Sequence, residues 1–71
     1  MAKWMLEQVD EFQMLTQSDA VFEIERRFGG DWVYDNDNGN PSIDRRALTA
    51  FKRLHAGRVE WDNGDKTWYL A

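Results

Sequence analysis

Residues Ser42 to Leu70, SIDRRALTAFKRLHAGRVEWDNGDKTWYL, change their apolar period once, and that change decides the fold. Ser42 can cap a helix, Asp44 in the first turn complements the helix dipole, and Gly57 stands where a left-handed C-terminal residue is wanted. Between them Ala47, Leu48, Phe51 and Leu54 follow three- and four-residue steps and share one face. The other side carries Arg45, Arg46, Thr49, Lys52 and Arg53, so it is strongly basic. After Gly57 the period becomes two: Val59 and Trp61 alternate with Arg58, Glu60 and Asp62, and Asn63-Gly64 is a strong hairpin signal. A two-residue turn there would pair Val59 with Trp68 and Trp61 with Lys66. Val59, Trp61, Trp68 and Leu70 would then share one apolar face. An isolated hairpin is marginal in water, so this face has to lie on the helices. A helix feeding a hairpin in this way is the C-terminal half of a winged helix-turn-helix.

Working outward, the N-terminal part supplies the partners for that half. Met5, Val9 and Phe12 recur at helical spacing, with Trp4 and Leu6 widening the stripe, so a helix is expected from Ala2 to about Phe12. The period then lapses, and Met14-Leu15-Thr16 reads as a short strand or an extended connector. A second helix, capped by Ser18 or Asp19, carries Val21, Ile24 and Phe28 on its core side and ends at Gly29-Gly30. Phe22 lies about 100° from Val21 on the helical wheel, at the edge of the core or as a partner contact. Trp32 and Tyr34 alternate with Val33 in a short extended segment. Asn36 to Pro41 is turn chemistry throughout, expected to be a solvated turn capping the third helix. This connection is long for a helix-turn-helix, where three or four residues are usual.

Composition bounds the function. Seventy-one residues make one domain, expected to span 1–71, and four Trp, four Phe and two Tyr supply a large apolar area for that size. No cysteine is present, which removes disulfides, thiolate metal sites and cysteine nucleophiles. No apolar run approaches membrane-spanning length and the N-terminus lacks a signal-peptide layout, so a cytoplasmic protein without membrane contact is expected. The net charge of −4 is unevenly spread. Residues 1–43 hold nine acids against three Lys or Arg, whereas 44–71 hold six Lys or Arg against four acids.

Asp35 and Asp37 resemble the start of a calcium loop, but placing Asp35 first puts Arg46 at the twelfth position, where a bidentate Glu belongs. The single His55, without Cys or suitably spaced acids, makes no metal site and reads as a polar edge residue near the helix C-terminus. No phosphate loop, nucleophile elbow or His–carboxylate spacing is present, so neither enzyme activity, cofactor nor small-molecule substrate is expected. What remains is binding. In a winged helix the third helix is the recognition helix, and Arg45, Arg46, Thr49, Lys52 and Arg53, with Arg58 at the strand start, would reach phosphates or base edges of double-stranded DNA. The wing tip argues the other way, because Asp62 and Asp65 repel phosphate. The competing expectation is a protein–protein module, self-association included, using exposed Phe22, Trp32, Tyr34 and Tyr69 and the 31–41 loop.

Phe28-Gly29, Val33-Tyr34, Asn38-Gly39-Asn40, Ile43-Asp44-Arg45, Leu48, Phe51-Lys52-Arg53-Leu54, Val59-Glu60-Trp61 and Trp68 together resemble a family of small, uncharacterised, mostly bacterial proteins. The likeness begins at Trp4-Met5-Leu6 and covers nearly the whole chain. It implies a stand-alone domain of winged-helix appearance, and it implies a wing more basic than the one here. It carries no catalytic or binding residues over.

The expected fold is α+β: a small winged helix-turn-helix-like domain of three helices, a C-terminal hairpin and a short third strand. That strand is Met14–Thr16 in winged-helix order, with Trp32–Tyr34 as the alternative. The expected core is Met5, Leu6, Val9, Val21, Ile24, Phe28, Ile43, Leu48, Phe51, Leu54, Val59, Trp61 and Trp68. The expected function is a non-enzymatic binding module.

Overall fold

Met5 and Val9 stand one helical turn apart and are both fully buried, which fixes the face of the first helix that the rest of the chain covers. The computed structural model describes residues 1–71. In chain order the elements are helix α1 (Ala2–Phe12), strand β1 (Met14–Thr16), helix α2 (Gln17–Phe28) and a single 3-10 turn (Gly30–Trp32). Strands β2 (Val33–Asp35) and β3 (Pro41–Ile43) follow, then helix α3 (Arg45–His55) and strands β4 (Val59–Asp62) and β5 (Thr67–Leu70). The fold is α+β, with three helices and two antiparallel sheets. One sheet has the order β1-β5-β4, so its third strand is Met14–Thr16. The alternative segment, from Val33 onward, forms a hairpin of its own with β3.

Local chemistry explains the boundaries. Gln13 takes a left-handed conformation (φ 68°) that ends α1 and turns the chain directly into β1. Thr16 then caps α2, its Oγ1 accepting from the Asp19 amide at 3.2 Å. The expected caps Ser18 and Asp19 lie inside that helix, with Asp19 in its acidic first turn. The same displacement occurs at α3. Ser42 belongs to β3, and Asp44 is the cap, its Oδ1 accepting from the Arg46 amide at 2.8 Å. The polar turn does not cap α3 as expected. It is organised by Asn36, whose Oδ1 accepts from the amides of Asn38 and Asn40 while its Nδ2 donates to Ser42 Oγ. At the C-terminus of α3 Ala56 enters the left-handed region first (φ 50°), and Gly57 follows it (φ 85°).

The C-terminal hairpin departs from the expected register by two residues. Val59 pairs with Leu70 and Trp61 with Trp68, leaving a four-residue loop, 63–66, beyond the Asp62–Thr67 pair. Asp62 Oδ1 accepts from the Asp65 amide at 3.0 Å and Lys66 is left-handed (φ 51°), so the loop closes two residues later than Asn63-Gly64 alone would dictate. Because the slip is even, Val59, Trp61, Trp68 and Leu70 keep a common face.

The core holds Met5, Val9, Leu15, Ala20, Val21, Ile24, Ile43, Ala47, Phe51, Val59 and Trp68. Five expected members lie outside it, three of them exposed and two, Leu6 and Leu48, packed against its edge. Leu54 is 46 % exposed because the buried line of α3 runs Ala47, Phe51, His55, at four-residue steps, and takes His55 in its place. His55 is thus buried rather than a polar edge residue: its ring packs edge-on to Phe51 and its Nδ1 accepts from the Gly57 amide at 3.1 Å. Trp61 is 41 % exposed because β4 is an edge strand, open on one side, while its neighbour Trp68 on central β5 is covered on both. Phe28, the last residue of α2, meets Trp4 edge-on at 6.4 Å and stays partly in solvent. Leu6 and Leu48 are half-buried.

Candidate functional site

The buried line Ala47-Phe51-His55 orients α3, and the residues on its far side follow from that. Arg45, Thr49 and Arg53 also recur every four residues, so they form an exposed stripe opposite the core, about 12 Å long at 1.5 Å per residue. Lys52 stands beside that stripe, toward the hairpin. Arg45, Lys52 and Arg53 form no ion pair within the chain.

The two remaining basic candidates are engaged elsewhere. Arg46 folds back on its own helix cap, Nε donating to Asp44 Oδ1 at 2.9 Å, and its guanidinium lies 4.7 Å from the centre of the Trp32 ring. The Arg46 side-chain hydrogen bonds hold the Asp44 carboxyl below its ordinary range, and Asp44 in turn raises the Arg46 guanidinium. The Asp44 amide donates to the Trp32 carbonyl at 2.8 Å, so the three residues lock the 3-10 turn to the start of α3. Arg58 lies 3.7 Å from Asp10 on α1, set against that helix rather than alongside the α3 stripe. Of the six basic-surface candidates, four come together on α3 and two serve intramolecular contacts.

The aromatic candidates divide as well. Trp32, expected to be free, is half-buried beneath Arg46. Tyr69, also expected to be exposed, is half-buried on the outer face of the hairpin. Its hydroxyl donates to Asp65 at 3.1 Å, and that carboxylate keeps the phenol protonated to higher pH than usual. Tyr34 is exposed on β2. Phe22 is 66 % exposed, and beside it on the same groove lie Phe12 and Met14. The groove runs between α1, β1 and α2 and has a volume of about 490 Å³. On its rim Glu23 accepts from both Arg27 and Arg26, which lower its carboxyl below the ordinary range.

A second groove, about 460 Å³, lies between α3 and the hairpin. Leu48, Lys52 and His55 form one wall, and Trp61, Trp68 and Gln17 contribute to the others. Lys52 therefore belongs both to this groove and to the basic side of α3. Trp61, expected in the core, and Phe12, expected on the apolar stripe of α1, are both exposed. Edge-strand position alone could have flagged Trp61, while Phe12 has no such signal because it ends a helix whose neighbours are set by the tertiary fold.

No group of three or more His, Cys, Asp or Glu side chains is arranged to hold a metal ion. No helix is long and apolar enough to cross a membrane. Searches of curated proteins and of solved structures returned no match. A family model described as a family of unknown function, DUF6953, matches residues 1–70, and the chain belongs to that family.

Proposed function

We propose that the protein is a cytoplasmic, non-enzymatic binding module of winged-helix type that engages nucleic acid weakly through α3. The observation that carries this reading is the stripe of Arg45, Thr49 and Arg53 with Lys52 beside it, on the solvent side of a helix whose opposite face is core. Cations without an internal partner lose no ion pair when they meet a phosphate, and three of them support modest, salt-sensitive affinity. The overall charge of −4 favours the same modest outcome.

A heteronuclear NMR titration tests this directly. Short nucleic acids added at about 50 mM salt are expected to shift the amides of Arg45, Thr49, Lys52 and Arg53, and the shifts are expected to fade at about 200 mM. A spectrum unchanged at the lower salt would overturn the reading. Arg46 and Arg58, tied to Asp44 and Asp10, are expected to respond less.

A second reading, protein docking or self-association, is favoured by a different observation: Phe12, Met14 and Phe22 stand exposed around one groove. Complexes formed there would strengthen or hold as salt rises, because apolar burial rather than charge drives them. Sedimentation velocity of the wild type against Phe22→Ser, at both salts, separates the two readings.

A further inference from the structure

We infer that the groove between α3 and the C-terminal hairpin receives an unpaired base of a single-stranded nucleic acid, stacked on Trp61. This rests on the nucleic-acid reading of α3 and narrows its substrate from nucleic acid in general to single strands. Three observations meet at the groove.

The first is a rigid aromatic platform. Phe51, fully buried, packs edge-on to Trp68 at 5.8 Å and 87°, and Trp68 in turn lies 4.6 Å from Trp61. Trp61 is thus supported from behind by the core while 41 % of its surface remains in solvent. An indole held in this way offers a face for stacking with little conformational entropy left to lose, and stacking is tolerant of base identity.

The second is the placement of positive charge. Lys52 lines the groove, and Arg45 and Arg53 continue from it along the exposed side of α3. A strand whose base enters the groove therefore has cations for its flanking phosphates on the helix side. The third is the placement of negative charge. At the hairpin tip the carboxylate of Asp62 is fixed by the Asp65 amide, and that of Asp65 by the Tyr69 hydroxyl. A rigid duplex lying across both α3 and the tip would bring its backbone to these acids, whereas a flexible strand can leave the groove before reaching them.

The test is fluorescence anisotropy of the full chain with labelled oligothymidylate, oligouridylate and a duplex, each of about 12 nucleotides or base pairs, at about 50 mM salt. The expected result is tighter binding of either single strand than of the duplex. Trp61→Ala should weaken single-strand binding about tenfold or more, while Trp61→Phe should retain most of it. In the wild type the indole Nε1–H resonance of Trp61 should shift on adding oligothymidylate, a readout that holds even if the alanine variant is poorly folded. Equal or tighter duplex binding, or an indole resonance that does not move while the α3 amides do, would overturn the groove and leave the α3 reading standing. Absence of binding by every probe would overturn both. The relative response to the thymidylate and uridylate strands distinguishes DNA from RNA as the source of the base.

Discussion

Phe51 is the residue on which the most depends, because it joins three parts of the molecule: its own helix through His55, the central strand through Trp68 and, by way of Trp68, the exposed Trp61. Phe51→Ala should cost about 2–5 kcal/mol, comparable to the whole stability of a domain this small, and should abolish a cooperative thermal transition at 37 °C or lower it sharply. Leu54→Ala, one turn on but nearly half exposed, should shift the melting temperature little. A pair of melts with the opposite ranking would contradict the buried line Ala47-Phe51-His55. Asp44 makes a different kind of single-residue prediction. Its carboxyl, with an ordinary value of 3.8, is lowered by Arg46, and that of Glu23, ordinarily 4.5, is lowered by Arg27 and Arg26. Groups depressed in the folded state favour folding fully above their unfolded values and lose that contribution as pH falls through the folded ones. Asp44→Asn should therefore melt lower than the wild type at about pH 6, and the gap should close toward about pH 2. Equal melting of the two proteins at both pH values would mean that Asp44 acts through the cap hydrogen bond alone, which Asn can also make.

Elements begin and end here on side chains and left-handed residues rather than on propensity. The consecutive left-handed pair Ala56-Gly57 is the clearest case. An L-residue costs about 1–2 kcal/mol in that region, so Ala56→Gly should raise the melting temperature and Gly57→Ala should lower it, each by roughly 4–8 °C per kcal/mol. Nothing lies within 4 Å of where a Cβ on Gly57 would stand, so the loss would report backbone strain alone. These boundary details mark where the sequence became hard to read. The existence and type of each helix and of the C-terminal hairpin were legible, because periods of 3.6 and 2 are local signals carried by Val21, Ile24, Phe51 and Val59. The register was not legible, because it turns on one hydrogen bond from Asp65 to Asp62 and on Lys66 adopting a conformation that glycine would normally mark. The caps are not legible where several capping residues follow one another, Thr16 before Ser18 and Asp19, and Ser42 before Asp44. Part of the basic surface was legible for the same reason as the helices: Arg45, Thr49 and Arg53 keep helical spacing. The engagement of Arg46 by Asp44 and Trp32, and of Arg58 by Asp10, depends on contacts that no spacing within α3 reveals.

At the scale of the whole molecule the governing fact is charge opposing charge. Nine acids in residues 1–43 surround a core shared with the basic helix, and the net charge is −4. A phosphate approaching α3 feels its near cations against a repulsive far field, so affinity and salt dependence are tied to the small number of unpaired cations rather than to overall composition. If Arg45, Lys52 and Arg53 each meet one phosphate of a single strand, the logarithm of the binding constant should fall against the logarithm of salt concentration with a slope of about −2. Removing one of these cations, as in Arg53→Gln, should reduce that slope by about 0.7, whereas Trp61→Ala should weaken binding without changing it. Arg46→Gln should alter the slope less than Arg53→Gln does, because its guanidinium already serves Asp44 and Trp32. Binding isotherms collected from about 50 to about 200 mM salt measure all four slopes. A wild-type slope near zero would assign any complex to apolar burial, and the groove of Phe12, Met14 and Phe22 would then become the surface to mutate. A slope far steeper than about −2 would require further phosphates, at Arg58 beside α1 or at Lys66, and only the second needs a strand that passes the acidic hairpin tip despite Asp62 and Asp65.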